Sequence, residues 1–248
     1  MIGTLQWIIS IGWFGVHTAV MTLSSFRAAP RRGHLDRCKR IYGYIARMKH
    51  ARIFVKTAVP DISSVPPQAF DWFNVYGDLK EILPHDAPRP LGKLVITISY
   101  VDANLMHDLI TGRSVTGILH FINSFPFDWY SKKQATVETA TYGSEFNAAR
   151  TCTEQLIDHR NTLRYLGVPL KKSYMFGDNE SVVGSSTVPS AKLHKRHTML
   201  SFHRVREAIA AGITTFHHIP GPINPADILS KHWAYSKVFH SKEVQDPP

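Results

Sequence analysis

Four acidic residues have the types and positions expected of a site for divalent cations. Asp102 and Asp178 each end a predicted strand, Glu145 lies in the first turn of a long predicted helix, and Asp227 opens the last predicted helix. Hard divalent cations prefer oxygen ligands, and two of them about 3.5 to 4 Å apart can activate a water molecule and stabilise a departing sugar oxygen. The four carboxylates together therefore predict a two-cation hydrolytic site.

Each acid also has an ordinary structural explanation. Asp102 could be a turn residue, Asp178 could cap the next helix, and Glu145 could simply face the helix dipole. Asp227 is the most ambiguous, because the segment from Asn224 to Asp227 is also a good capping sequence with proline at the first helical position. Any one acid is better explained structurally, but all four at two strand ends and two helix starts favour a cation site.

The acids are positioned by a predicted alternation of strands and helices. The predicted strands are Leu94 to Val101, Thr116 to Ile122, Phe127 to Ser131, Tyr174 to Phe176 and Thr214 to Ile219, with turns at Gly112 and at Ser124 to Pro126. The predicted helices are Tyr142 to Leu166, Glu180 to Ser186, Leu193 to Ala211 and one from Pro225. This order is that of the ribonuclease H-like α/β fold, although many α/β domains could mimic it. We predict a mixed five-stranded sheet with flanking helices.

The N-terminal segment, residues 1–57, is strongly basic. The chain has 29 Lys and Arg against 19 Asp and Glu, and this segment holds ten of the basic residues and a single acid, Asp36. Its apolar start has polar residues and glycines and no basic n-region, so we expect neither a signal peptide nor a membrane helix. Helical spacing predicts two packed helices separated by Pro30. The charge favours phosphate contact, and a solvated helix face is the alternative.

Composition also predicts the boundaries of the domains and the compartment. Residues 58–92 are rich in proline and acids and predict a linker, whose aromatic residues favour packing on a neighbour. A nuclease-like domain is predicted over 93–240 and a tail over 241–248. Cys38 and Cys152 are isolated thiols without zinc-finger spacing, which indicates a reduced intracellular protein, cytoplasmic or nuclear and not secreted.

Six ordered segments over roughly the last 150 residues resemble the ribonuclease H region of copia-type retrotransposon polyproteins. They are Gly112 to Gly117, Trp129 to Gln134, Ser144 to Phe146, Asp178 to Ser181, Phe202 to Glu207 and Ala226 to Lys231. The resemblance implies that Asp102, Glu145, Asp178 and Asp227 are catalytic metal ligands for two Mg²⁺ or Mn²⁺ ions. It also implies hydrolysis of the RNA strand of RNA/DNA hybrids, with the hybrid as partner.

Upstream segments resemble, more loosely, the region that follows the polymerase palm in the same polyproteins. These segments are Met1 to Leu5 and His34 to Ile45, and they imply a thumb or connection element that grips the hybrid. No Tyr/Phe-x-Asp-Asp polymerase motif occurs in the chain. We therefore expect a terminal fragment or the product of a degenerate element, with the polymerase part as a possible partner and no membrane.

The sequence departs from the family in two places and leaves other functions open. The family's Asp-Ala-Asp-Trp-Ala is replaced after Asp102-Ala103, and the basic segment His194 to Met199 differs from the usual pattern. Candidate nucleic-acid contacts are Arg37, Lys39, Arg40, Lys132, Lys133, Asn179, Lys195 and Arg196. Three histidines near Asp227 in the sequence could assist product release: His217, His218 and His232. The alternatives are a non-catalytic nucleic-acid-binding remnant and another enzyme of this fold, such as a transposase or junction nuclease.

Overall fold

Five strands form one mixed sheet in the order β3-β2-β1-β4-β5. The computed structural model describes residues 1–193 and 195–232. The strands are β1 (Thr97–Asp108), β2 (Arg113–Ile122), β3 (Phe125–Lys133), β4 (Ser173–Gly177) and β5 (Thr214–His218). β1, β2 and β3 form an antiparallel meander, whereas β4 pairs parallel to β1 and β5 parallel to β4. This order and these directions are those of the ribonuclease H-like fold, which confirms the predicted fold class.

The helices follow the predicted order between the strands. They are α1 (Ile2–Ser10), α2 (His17–Ser24), α3 (Arg32–Arg47), α4 (Phe73–Tyr76), α5 (Thr141–Tyr165), α6 (Glu180–Thr187), α7 (Met199–Ala210) and α8 (Asp227–Ser230). Short 3-10 turns cover Phe14–Val16, Arg196–Thr198 and Gly221–Ile223. α5 ends where Gly167 adopts a positive φ of 72°, a conformation that glycine accepts without strain.

Three predicted element boundaries were wrong. β1 continues for six residues beyond Asp102, because its outer half pairs with β2 alone after the parallel pairing with β4 has ended at Val101. β3 already begins at Phe125, inside the segment predicted as a turn. α7 begins at Met199 and not near Leu193, since a 3-10 turn covers Arg196–Thr198 directly before it.

The two faces of the sheet are covered by different helices. α5 packs on β1 and β2, with α6 and α7 beside it, while α8 and the N-terminal helices cover the other face near β2 and β3. β1 is therefore buried on both faces from Thr97 to Ala103. β1 is also the central strand of the five, which agrees with its burial on both faces.

Gly117 permits a close approach between α8 and the sheet. A Cβ atom placed on Gly117 would lie 2.7 Å from the carbonyl oxygen of Ala226 and 2.8 Å from the amide nitrogen of Ser230. Any larger residue would push α8 away from β2. Because Gly117 pairs with Asp102 across the sheet, this contact determines how near α8 comes to that acid.

The N-terminal segment forms three helices, not the two that were predicted. The first predicted helix is interrupted after Ser10 by Gly12, whose φ of 128° is incompatible with a right-handed helix. The segment is tied to the sheet through Trp129, whose Nε1 donates to the carbonyl of Ile9 at 3.1 Å. Thr18 Oγ1 likewise donates to the carbonyl of Ile228 in α8 at 2.9 Å.

The proline-rich segment 58–92 packs along the sheet and α5. The Gln68 side-chain amide exchanges two hydrogen bonds with the backbone of Phe216, on the edge strand β5. Trp72 is buried and packs against the Arg206 guanidinium, 4.8 Å from its ring centre. Phe70 and Phe73 stay exposed, so only part of the predicted aromatic packing is present.

Some of the predictions fall partly or wholly beyond these residues. The end of the predicted domain 93–240 and the tail 241–248 lie outside the described residues, as does His194. Cys38 and Cys152 are buried free thiols. Within the described ranges, no helix is both long and apolar enough to cross a membrane.

Glu81 binds the proline-rich segment to α5 and gives a testable contribution to stability. Its carboxylate accepts hydrogen bonds from Arg160 and Arg164 at 2.6 to 2.9 Å. Burial opposes the ionised form, but the two guanidinium groups outweigh it and lower the pKa of Glu81 to about 2. Removing one partner of a largely buried ion pair leaves the other uncompensated. We therefore expect Glu81→Gln to lower the free energy of unfolding by about 2 to 3 kcal/mol.

The pH dependence of this loss follows from the lowered pKa. The stabilisation is complete above the unfolded pKa of 4.5 and is lost as the pH falls towards 2, so the difference between wild type and Glu81→Gln shrinks over that interval. Urea unfolding at several pH values measures it. The control is Asp78→Asn, whose exposed pair with Lys80 contributes at most about 1 kcal/mol. Equal effects of the two substitutions would contradict the assignment.

Candidate metal centre

Three of the four predicted acids meet where the parallel pairing of β1 and β4 ends. Asp102 on β1, Glu145 on α5 and Asp178 after β4 place one carboxylate oxygen each within 4.8 Å of the other two. The parallel pairing brings Asp102 and Asp178 together where it ends, directly after Val101 on β1 and Gly177 on β4. α5 passes over this end of the pairing with Glu145 on its sheet-facing side. Asp102 and Glu145 are buried, and Asp178 is half-buried.

Two local assignments of these acids need correction. Asp102 was expected at the end of the first strand, but it is the sixth residue of a twelve-residue β1. Glu145 was expected in the first turn of its helix, but it is the fifth residue of α5, because the helix begins at Thr141. The helix-dipole explanation for Glu145 therefore weakens, since that effect falls off beyond the first turn.

The clustered carboxylates disfavour one another's charges. Burial raises the pKa of Glu145 well above its usual value, and the charges of Asp102 and Asp178 raise it further, although the backbone amide of Ala103 donates to it. Burial and Asp102 also raise the pKa of Asp178. Desolvation and like charge both destabilise ionised carboxylates, and a divalent cation relieves both. The donor set, all carboxylate oxygen, fits a hard cation such as Mg²⁺ or Mn²⁺.

Asp227 lies beside this cluster and is paired with a lysine. Lys231 Nζ donates to Asp227 Oδ1 at 2.6 Å and to Asp102 Oδ1 at 3.1 Å. Burial alone would lower the pKa of Lys231, but Asp102 and Asp227 raise it well above the usual value. Ser230 Oγ donates a hydrogen bond to Asp102 Oδ2. Both carboxylate oxygens of Asp102 are thus bonded to the α8 segment.

Comparison with curated sequences gives relatives of one kind. The chain is 27% identical over 145 residues to the retrovirus-related Pol polyprotein from transposon TNT 1-94 of Nicotiana tabacum, a match that covers 58% of this chain and 11% of the polyprotein. It is 22% identical over 232 residues, 93% of this chain and 13% of the polyprotein, to that from transposon RE1 of Arabidopsis thaliana. The chain is a homologue of plant transposon Pol polyproteins. It spans only about an eighth of their length, and no family model matches it.

Solved structures give weaker similarities. The N-terminal RNase H domain of rv2228c from Mycobacterium tuberculosis has a TM-score of 0.43 and 12% identity, covering 55% of this chain and 91% of that chain. LC11-RNase H1 in complex with an RNA/DNA hybrid has a TM-score of 0.42 and 16% identity, and the match covers 55% of this chain and 93% of that chain. At these scores the fold assignment rests on the strand order and pairing directions given above.

The predicted nucleic-acid contacts of this chain lie in different environments. Arg37, Lys39, Arg40, Lys132 and Arg196 are exposed, and Lys195 is half-buried. Two candidates are already engaged within the protein. Lys133 donates to Asp108 Oδ2 at 2.7 Å and to Ser25 Oγ at 3.0 Å, and Asn179 caps α6 by accepting from the amide of Val182.

The three candidate histidines occupy three separate positions. Burial lowers the pKa of His217 to about 4, and its ring packs against Phe176 at 5.7 Å. His218 is close enough to Asp178 to favour that residue's ionised form. His232 Nε2 contacts Thr22 Oγ1 at 3.3 Å, and burial followed by the charge of Arg37 lowers its pKa. Of the three, His218 is the one that acts electrostatically on a cluster carboxylate.

Lys231 and Ser230 are the site residues that the sequence interpretation missed. Both lie in the matched segment Ala226 to Lys231, but neither was given a role. The i, i+4 spacing of Asp227 and Lys231 on a short helix was a signal for their ion pair. Nothing in the spacing indicated that the same ammonium group also contacts Asp102.

Asp227→Asn tests whether repulsion by the neighbouring carboxylates or attraction by Lys231 has the larger effect on the charge of Asp227. Burial and the charge of Asp102 raise the pKa of Asp227 to about 6, despite the opposing effect of Lys231. The folded protein therefore binds a proton more tightly than the unfolded chain, and wild type gains stability as the pH falls from about 6 towards 3.8. In metal-free protein, we expect Asp227→Asn to be at least as stable as wild type at pH about 8. This advantage should disappear as the pH falls through that window.

Thermal unfolding in the presence of a chelator measures the difference. Asp158→Asn, at an exposed position on α5, is the control for an Asp→Asn change away from the cluster. A clearly lower melting temperature of Asp227→Asn at pH about 8 would mean that the Lys231 pair outweighs the repulsion, and that Asp227 acts there as a structural residue.

Proposed function

We propose that this chain hydrolyses the RNA strand of RNA/DNA hybrids with two Mg²⁺ or Mn²⁺ ions, as a segment of a copia-type Pol polyprotein. The observation that carries the proposal is the convergence of Asp102, Glu145 and Asp178 within 4.8 Å on a ribonuclease H-like sheet. The similarity of this chain to Pol polyproteins supports a substrate that arises in reverse transcription. The expected products carry 3′-hydroxyl and 5′-phosphate ends, without a covalent protein intermediate.

The roles of the acids follow from their positions. Asp102, Glu145 and Asp178 would hold one cation, and Asp102 with Asp227 would hold the second. When bound, such cations activate a water and stabilise the leaving oxygen of the phosphodiester. Ser230 keeps Asp102 oriented by donating to its Oδ2. Burial of the acids maintains the strength of these interactions by excluding bulk water.

Lys231 sets a condition on the second cation position. Its ammonium group contacts both acids that would form that position, Asp102 and Asp227. A second cation must therefore compete with this ammonium for both ligands, whereas at the three-acid position only Asp102 is shared with Lys231. We infer that the two cations bind with unequal affinity, the three-acid position being filled first.

The basic helix α3 comes near the Lys231 end of α8. Arg37 on α3 acts electrostatically on His232, which directly follows Lys231 in the chain. A hybrid that reaches the acids would therefore come near α3. Exposed guanidinium and ammonium groups bind nucleic acid mainly through phosphates, which gives affinity without base readout.

Cleavage of labelled duplexes tests the proposed activity. We expect magnesium-dependent cutting of RNA in an RNA/DNA hybrid and no cutting of RNA/RNA or DNA/DNA duplexes. Asp178→Asn should reduce the rate by about 100-fold or more, because it removes one charge from a shared cation site. Asp158→Asn should cut like wild type. Hybrid binding without cleavage by the wild-type protein would instead support a non-catalytic nucleic-acid-binding remnant.

The salt dependence of hybrid binding tests the role of α3. Combined replacement of Arg37, Lys39 and Arg40 by glutamine should weaken binding and reduce the slope of log K against log[salt] by up to about 2.7, since each phosphate that is no longer neutralised accounts for about 0.9. Cleavage at saturating hybrid should persist. The matched control replaces Lys93, Lys171 and Lys172, which are exposed near the beginnings of β1 and β4, opposite the acids. Equal slopes for the two triple variants would show that α3 does not contact the hybrid.

A further inference from the structure

A second group of potential metal ligands lies away from the carboxylate cluster. His120 on β2, Asp128 on β3 and His159 on α5 each offer one ligand atom, and these atoms lie within 4.8 Å of one another. His120 on β2 pairs directly with Asp128 on β3. His120 lies three residues after Gly117, the β2 residue that pairs with Asp102. The nuclease proposal uses none of these three residues.

The side chains of this group are held in place from several elements. His120 Nδ1 lies 2.8 Å from Ser99 Oγ on β1, and His159 Nε2 lies 2.9 Å from Asp128 Oδ2. The His120 and His159 rings meet edge to face, with centres 4.7 Å apart. Hydrogen bonds of this kind orient imidazole ligands in metal sites, because they fix which nitrogen carries the proton.

The group borders an accessible cleft. A cleft of about 480 Å³ lies between the N-terminal helices and β3, and Asp128 and His17 both line it. His17 Nδ1 is buried and has no hydrogen-bond partner among the described residues, and Asp128 acts electrostatically on this ring. The Asp128 side chain is 42% exposed, so an ion could reach its carboxylate from solvent.

We propose that His120, Asp128 and His159 form a binding site for a divalent transition-metal ion, with Zn²⁺ as the best match. Two imidazole nitrogens and one carboxylate oxygen suit Zn²⁺, whereas Mg²⁺ prefers oxygen ligands alone. A tetrahedral Zn²⁺ with bonds of about 2.0 to 2.1 Å holds its ligand atoms about 3.4 Å apart, so no two ligand atoms of this group need to approach by more than about 1.4 Å. Bound Zn²⁺ would join the edge strand β3 to α5.

The His120 ring would have to change one existing contact when an ion binds. Its Nε2 contacts Gln155 Oε1 at 3.1 Å, and that contact must give way if Nε2 is the ligand. The Ser99 contact can remain and keep the ring oriented.

Cobalt binding provides the spectroscopic test. Chelator-treated full chain is titrated with Co²⁺, because four-coordinate Co²⁺ absorbs visible light far more strongly than octahedral Co²⁺ at an all-oxygen site. We expect one equivalent of the four-coordinate species, displaced by Zn²⁺. His159→Gln and Asp128→Asn should each abolish the signal. The controls His50→Gln, at an exposed position, and Asp178→Asn, in the carboxylate cluster, should retain it.

Zinc-dependent stability gives a second readout. At a Zn²⁺ concentration 100 times the dissociation constant, the ratio of folded to unfolded wild type should rise about 100-fold, and this gain should be absent in His159→Gln. The proposal is overturned if wild type gives no four-coordinate signal, or if the signal survives in both His159→Gln and Asp128→Asn. It is also overturned if Asp178→Asn removes the signal, since the ion would then belong to the carboxylate cluster. None of these outcomes depends on whether the chain cleaves RNA.

Discussion

Mutual repulsion of buried carboxylates is the constraint on which the arrangement of this chain depends. Asp102 lies on β1, Glu145 on α5 and Asp178 directly after β4, and burial together with the neighbouring charges disfavours the ionised forms of Glu145 and Asp178. The fold holds them together because β1 is covered on both faces and pairs antiparallel with β2 and parallel with β4. Lys231 offsets part of the negative charge, and a divalent cation would offset more.

The opposite face of the sheet depends on one close contact. The absence of a side chain at Gly117 lets α8 rest directly on β2, which brings Ser230 and Lys231 to Asp102. The N-terminal helices then pack against α8 through the hydrogen bond from Thr18 to Ile228. Displacing α8 would therefore disturb both the acid cluster and the position of the basic helix, which are otherwise far apart in the sequence.

Two residues in the segments that resemble the copia-type family, Gln134 and Arg206, connect structural elements of this chain by hydrogen bonds. Gln134 joins β2 to the start of α5 by donating to Thr116 Oγ1 at 3.0 Å and to the carbonyl of Ser144, which precedes Glu145, at 2.8 Å. Arg206 is buried and donates to three carbonyls at the end of α6 and the loop after it. Residues of this kind position the acids without contacting them.

The sequence by itself determined the order of the elements, and it predicted four acids, three of which the structure brings together. Alternating apolar residues, a long helical period and turn residues such as Gly167 are local signals, so they specified the strands, α5 and the fold class. The ends of β1 and the break at Gly12 were missed because pairing partners and backbone conformation depend on distant residues. Only the tertiary structure decided that Lys231 lies between Asp102 and Asp227, and that His120, Asp128 and His159 meet. Those contacts join elements far apart in the chain, and their geometry is set by packing, which no local pattern encodes.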